Sequence, residues 1–476
     1  MTDTRPNIVF VITDQQRHDT IRAMGFPYMD TPNLDALVEE GTAFSNMYVT
    51  SPCCAPSRAS LFTGLYPHNS GVLRNDEVWP STWVSDLAAA GYHCCNVGKM
   101  HTHPFEAPFG FHERHVVENK DRAHPNLPFF LDNWDKALMA RGVEKPDRRS
   151  YRRRQDYATA LGAFSWELDR DLHPDVFTGR LACRWLKEWN GTKPFFLQVG
   201  LPGPHPPYDP APEDLEPYLD RDLPAPIPSD IEAQPKALQE LQANHIRDDH
   251  DAVRHLAHPT DEQTRRQRAH YYANVSMIDG IIGEIRAALE QRGVAGNTII
   301  IFTSDHGDCL NDHGHSQKWT MYEHSVRVPA IIHDPRRAGG TRVDDLVSLM
   351  DLGPTVLEFA GLAPPSWMEG ISLAPCTRGE TEAPIRTEVF AELARDMIQS
   401  NAAFFTMIRT GPWKLVHISG TTEGQLFNLE NDPDECINLW DDANHADMRR
   451  QLTARLLEWR IESGLAAQGW LGRVAC

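Results

Sequence analysis

No apolar run in the 476 residues approaches the ~20 needed to span a bilayer, so no transmembrane helix is read. Signal-peptide features are missing as well. The apolar stretch Asn7-Ile-Val-Phe-Val-Ile-Thr13 is short, lacks a basic flank and a small-residue cleavage site, and runs into Asp14-Gln-Gln-Arg17. It reads as a buried strand, and the cytoplasm is the expected compartment. Cysteine occurs nine times, an odd number, in spacings that suit neither a disulfide scaffold nor paired zinc-binding CxxC motifs. Reduced thiols, most of them buried, are expected. Positive charge is in short supply: 46 Lys and Arg against 66 Asp and Glu leave a net charge of -20. That balance argues against general affinity for nucleic acid or anionic membrane. It also repels an anionic substrate at long range, so a site for one must be locally positive, through a bound cation or clustered Lys, Arg and His. No internal repeat and no long low-complexity segment is visible.

What is present is 41% hydrophobic, enough for a large core and for one big domain with a smaller companion. Residues 7–13 and 297–303 are continuous apolar, β-branched runs of the kind found in a sheet covered on both faces. Each ends on a carboxylate, Asp14 and Asp305, at the carboxyl end of a strand, where open α/β sheets place their ligands. Further strands are read at 44–50, 92–97, 194–200 and 328–333, and helices at 31–41, 83–90, 176–189, 262–292 and 351–361. The stretch 103–175 loses its periodicity and reads as an insertion at the mouth of the site. Its basic cluster, Arg148, Arg149, Arg152, Arg153 and Arg154, reads as a solvated, salt-bridged surface. Pro202-Gly-Pro-His-Pro-Pro-Tyr208 reads as a rigid loop presenting His205, and 209–260 as Pro-rich, acidic and irregular. After about residue 375, short antiparallel strands and a closing helix at 445–463 appear. The fold expected is α/β: a central, mostly parallel sheet flanked by helices in residues 1–375, then a smaller α+β subdomain in 376–476.

The chain is organised around Ser51-Pro-Cys-Cys-Ala-Pro-Ser-Arg-Ala-Ser-Leu-Phe-Thr-Gly64. Cys54 and Arg58 sit near one helix N-terminus, where dipole and guanidinium favour negative charge beside the thiol. On local chemistry alone, Cys54 is either a buried thiol at a helix start shaped by Pro56 and Ser57, or a nucleophile beside a His. Asp14 and Asp305 could each cap a following helix. Both following the same strand-then-carboxylate pattern favours convergence at one sheet edge. With His306 and the Gln15 amide they would make an oxygen-rich site for a hard divalent cation.

Cys54-Ala-Pro-Ser-Arg58, extended by Ala-Ser-Leu-Phe-Thr-Gly64, resembles the signature of the type I sulfatases of the alkaline phosphatase superfamily. The resemblance runs through Thr31-Pro-Asn-Leu-Asp35, Gly98-Lys-Met-His101, Pro204-His-Pro-Pro-Tyr208 and Thr303-Ser-Asp-His-Gly307 to Leu426-Phe-Asn-Leu-Glu-Asn-Asp-Pro-Asp-Glu435. It implies an alkaline-phosphatase-like fold and hydrolysis of a small-molecule sulfate ester. It also implies that a formylglycine-generating enzyme converts Cys54 to formylglycine, with Pro56 and Arg58 completing its recognition signal. By the same resemblance, Asp14, Asp305, His306, the oxygen at position 54 and Gln15 hold the metal. Arg58 orients the nucleophile, Lys99 neutralises sulfuryl oxygens, and His101 takes the proton when the intermediate collapses. His205 and Lys318 serve the leaving group, and Asn75 contacts the sulfate. A homo-oligomer is expected.

Many sulfatases have Asp-Asp and Asp-Asn where this chain has Asp14-Gln15 and Asp305-His306. That variant resembles the branch containing choline sulfatases and phosphonate monoester hydrolases. Calcium is the first expectation for the metal and manganese the second. Retention of Ser57, Lys99 and His101 favours sulfate over phosphonate esters.

Overall fold

The computed structural model describes residues 5–118, 130–228, 230–380 and 383–470, so part of the 103–175 stretch and both chain ends lie outside it. Eight strands form one sheet: β1 (Asn7–Asp14), β2 (Thr42–Tyr48), β3 (His93–Gly98), β4 (Glu113–Val116), β5 (Phe195–Pro204), β6 (Thr298–Ser304), β7 (Arg327–His333) and β8 (Thr341–Ser348). Their order is β4-β3-β5-β1-β6-β7-β2-β8. Among the described residues, only β7 runs antiparallel to its neighbours. The remaining pairs are parallel.

The central strands β1, β5 and β6 are buried at every position, and the middles of β1 and β6 are runs of apolar residues. In β1, Ile8, Phe10 and Ile12 point into one core, while Val9 and Val11 point into the other. Each such side chain, fully buried, is worth roughly 1.5–3 kcal/mol over an exposed one. Two helices, Pro174–Glu188 and Asp261–Arg292, cover the second face with Ala182, Leu186, Ile278, Ile282 and Ile285. The longer one starts at a reciprocal Thr260–Gln263 capping box and stops at Gly293, whose φ of 74° a side chain would resist. The first face takes the Cys54–Thr63 helix and a second, four-stranded antiparallel sheet. That sheet comprises β9 (Glu388–Ala394), β10 (Phe404–Thr410), β11 (Trp413–Ile418) and β12 (Gly424–Asn428). Its outer face packs on the closing helix, Ala446–Ala466, through Leu452, Leu456 and Trp459. No described helix is long and apolar enough to cross a membrane. The eight described cysteines are all unbridged.

Five elements differ from the sequence reading. The 103–175 stretch contributes β4, four residues long, to the edge of the main sheet. β8 was not read because its outer half is solvent-exposed and polar, so it carries no continuous apolar run. The stretch 209–260 contains two helices, Pro212–Leu219 and Lys236–Arg247. β5 extends to Pro204, so His205 follows a strand end directly, and the rigid loop read from Pro202 starts later than expected.

Register decides where the chemistry falls. β1 and β6 pair in parallel with Ile12 opposite Thr303 and Thr13 opposite Ser304. The Asp305 amide then donates to the Thr13 carbonyl at 3.2 Å, and Asp14 and Asp305 leave the sheet side by side. On the other side of β5, the chain after β3 crosses very close to it. The Lys99 amide donates to the Gly200 carbonyl at 2.7 Å, and a Cβ on Gly98 (φ 92°) would lie 2.1 Å from that oxygen. Gly98→Ala is therefore expected to cost about 3 kcal/mol, from left-handed backbone plus a clash with backbone. Gly464→Ala, on the closing helix with open space around it, should be neutral or slightly stabilising. Denaturant unfolding of both variants checks the contrast.

Candidate active site

Cys54 begins its helix with no side chain capping from Cys53. The Asn75 Oδ1 takes up the slack, accepting the Ala55 amide at 3.1 Å. At the far end Gly64 (φ 74°) closes the helix by donating its amide to Ser60. Residues four apart share a helix face, so Cys54 and Arg58 both point at the ends of β1 and β6. Ser57 ties the helix there by donating from Oγ to the Asp305 carbonyl at 2.6 Å.

Each carboxylate divides its two oxygens. The Asp14 Oδ2 faces cations, Lys99 Nζ at 2.5 Å and Arg58 Nη2 at 3.5 Å. The Asp305 Oδ2 accepts from Arg58 Nε at 2.7 Å. The Oδ1 atoms turn inward, 3.8 Å (Asp14) and 3.7 Å (Asp305) from His306 Nε2. Burial alone would raise the Asp14 pKa; Lys99, His205, Lys318 and Arg58 outweigh it and hold the carboxyl well below the usual range. The hydrogen bonds of Arg58 go to Asp305, Asp14 and the Thr13 and Lys99 carbonyls instead of to Cys54. Arg58 thus acts on Cys54 through space and not through a hydrogen bond. Burial pushes the Cys54 thiol up and Asp14 adds to it, against Lys318 and Lys99.

The Cys54 Sγ lies 2.9 Å from Lys318 Nζ, 3.1 Å from His306 Nε2 and 3.8 Å from Asp14 Oδ1. Donor atoms of Asp14, Cys54, Asp305 and His306 all fall within 4.8 Å of one another. The surroundings prepare them for a cation. The His306 Nδ1 pairs with the Gly307 carbonyl at 2.9 Å, which fixes its proton there and leaves the Nε2 lone pair facing the carboxylates. Burial, partly offset by Asp305, keeps that imidazole below its ordinary pKa and so neutral. Gln15 sits at φ 71°, and its Nε2 donates to Asp308 at 2.7 Å. Its Oε1 therefore faces inward, where it accepts from Lys318 at 3.1 Å. This donor set, oxygen-rich with one nitrogen and fully buried, fits a divalent cation.

Above the floor opens a cavity of about 530 Å³ lined by Cys54, Asn75, His101, His205 and Lys318. The structure thus gathers every sequence-expected residue at one place, with Asp14, Gln15, Arg58, Lys99, Asp305 and His306 below. Asn75 does double duty there, since its oxygen is engaged by the nucleophile helix. Sequence reasoning missed Asp308 and Tyr208, which hold the Gln15 amide: Tyr208 donates to the same Asp308 Oδ2 at 2.7 Å. Asp308 directly follows Ser304-Asp-His-Gly307, so the run of polar residues past β6 was a usable signal. Arg148, His250, Asp251, Trp319 and residues 395–398 also line the cavity, and they come from stretches without motif.

Strand-end carboxylates paired in register beneath the Cys54 helix make a candidate metal site at the carboxyl edge of an alkaline-phosphatase-like sheet. The chain superposes on the phosphonate monoester hydrolase of Agrobacterium radiobacter with a TM-score of 0.80, at 26% identity over 96% of each chain. The Sulfatase family model matches residues 6–362, and that of the N-sulphoglucosamine sulphohydrolase C-terminal region matches 311–462. Similar chains include an arylsulfatase of Clostridium perfringens, 31% identical over 96% of this chain and 95% of that one. A choline-sulfatase of Rhizobium meliloti is 30% identical over 98% of this chain and 89% of that one. The protein belongs to the sulfatase family.

Purified protein is expected to hold a divalent cation, and Asp305→Asn to lose most of it while His101→Ala retains it, as read by elemental mass spectrometry. Arg58→Met leaves two buried carboxylates without their shared partner and should cost about 4 kcal/mol in denaturant unfolding.

Proposed function

We propose that the protein hydrolyses an organic sulfate monoester to an alcohol and sulfate, with Cys54 converted to formylglycine. The observation that carries this reading is the position of the Cys54 side chain. It is held between Lys318 Nζ (2.9 Å) and His306 Nε2 (3.1 Å) at the floor of an open cavity. Formylglycine hydrate supplies two hydroxyls, one to attack sulfur and one whose proton loss later expels sulfate. A cation held by Asp14, Gln15, Asp305 and His306, calcium by preference and manganese otherwise, supplies positive charge against the sulfuryl oxygens and acidifies the attacking hydroxyl.

The chain's own residues do the rest. Lys99 and Arg58 keep Asp14 ionised, Arg58 pairs with Asp305, and Lys99 neutralises sulfuryl oxygens. Lys318 and His205, on the cavity side, stabilise or protonate the departing alcohol oxygen. His101 accepts the proton of the second hydroxyl. Together Lys99, Arg58 and Lys318 make the locally positive site that an anionic ester needs in a chain of net charge -20. The proposal includes maturation by a formylglycine-generating enzyme, residence in the cytoplasm and assembly as a homo-oligomer. A second reading, phosphonate monoester or phosphodiester hydrolysis by the same groups, is favoured by the superposition on the Agrobacterium radiobacter enzyme.

Protein from its native host should turn over 4-nitrophenyl sulfate with a higher kcat/KM than an aryl phosphonate monoester; the reverse order transfers the assignment to the second reading. Cys54→Ala should abolish turnover without lowering the melting temperature. Peptide mass analysis should find an aldehyde in place of the thiol at residue 54, and an intact thiol in active enzyme would refute the nucleophile.

A further inference from the structure

Asp251 belongs to the irregular stretch after the Lys236–Arg247 helix, with no motif around it. It is nonetheless 3% exposed and lines the same cavity as Cys54. Its backbone is unusual. Asp251 and Ala252 are consecutive non-glycine residues at positive φ, 52° and 62°, inside a turn closed by the Val253 amide on the His250 carbonyl at 2.8 Å. Each such residue costs of order 1–3 kcal/mol, so surrounding contacts must hold the turn in place. One of those contacts is visible: Arg148 Nη2 donates to Asp251 Oδ1. The other carboxylate oxygen, Oδ2, faces His205 Nε2 at 3.5 Å.

The opposite side of the His205 ring is fixed. Its Nδ1 pairs with the Pro206 carbonyl at 2.8 Å, so that nitrogen carries a proton. A proton to be transferred must therefore sit on Nε2, the nitrogen between Asp251 and the cavity. A carboxylate beside Nε2 fixes the direction in which the ring faces.

We propose that Asp251, clamped by Arg148, is the positioning residue for His205 in departure of the leaving alcohol. This rests on the hydrolytic reading above. The attacking hydroxyl at residue 54 first gives its proton to solvent; in the transfer step the bond from its oxygen to sulfur forms, and the bond from sulfur to the alcohol oxygen breaks. The released electron pair stays on the alcohol oxygen, which takes the proton from His205 Nε2; solvent later restores that proton. Asp251 touches no reacting atom and does not change its protonation. The arrangement gives the 103–175 stretch a defined part in the reaction, since Arg148 comes from it.

The test uses the full-length matured enzyme and two esters that differ in leaving group, 4-nitrophenyl sulfate and the less acidic phenyl sulfate. Asp251→Asn is the informative variant, because Asn tolerates left-handed backbone and keeps the side-chain shape. It should lower kcat for phenyl sulfate about 100-fold, the range of a lost proton donor, and for 4-nitrophenyl sulfate only a few-fold. Metal content should not change. Arg148→Gln should show the same asymmetry at smaller size, and it decides the matter should Asp251→Asn melt early. An equal loss on both esters, or no loss on either, overturns the proposal. If the wild type prefers phosphonate monoesters, the same comparison is run on 4-nitrophenyl and phenyl phosphonates. Failure of the sulfate reading then shows in the wild type, and failure of this inference only in the variants.

Discussion

The in-register pairing of β1 with β6 creates an electrostatic conflict that the rest of the site resolves. Neighbouring strands lie roughly 4.8 Å apart, so residues leaving them at the same level are forced together. Two unit charges at ~4 Å repel by about 4 kcal/mol at an effective dielectric near 20, and each buried charge is desolvated as well. Arg58 answers both carboxylates with one guanidinium, and Lys99 adds a second cation to Asp14. Because Arg58 and Cys54 are one helical turn apart, neutralising the carboxylates and placing the Cys54 side chain are a single docking event. The helix cannot shift to suit one without disturbing the other.

How much of this could be read in the sequence follows from how each part is buried. β1 and β6 are covered on both faces, so their apolar runs are continuous and stand out. The edge strands β4 and β8 pair on one side and meet solvent, and their composition resembles a loop. The Lys236–Arg247 helix was hidden by its proline-rich surroundings, although Ala237, Leu238, Leu241 and His245 already mark one buried face. At the site, residues attached to motifs at strand ends were legible. Asp251 was not, because its position depends on a turn and on an arginine 103 residues away in sequence.

The basic cluster at 148–154 shows the same limit in miniature. Arg152 pairs with Asp249 and Arg154 with Glu167, as expected for a solvated surface. Arg148, at one end of the run, turns instead toward the cavity. Composition cannot separate these, since all are arginines within a few residues of one another. What separates Arg148 from Arg152 is the path of the 248–253 segment, which offers Asp251 to the first and Asp249 to the second.

The recognition segment itself has a consequence for how the enzyme comes to exist. Cys54 and Ala55 are 1% exposed, and Ser57 and Arg58 are wholly enclosed. A segment so enclosed is out of another protein's grip in the finished fold, so the oxidation of Cys54 proposed above would have to precede folding. A chain that folded first would be a well-packed, inactive twin, and the active fraction of a preparation would record a race between folding and modification.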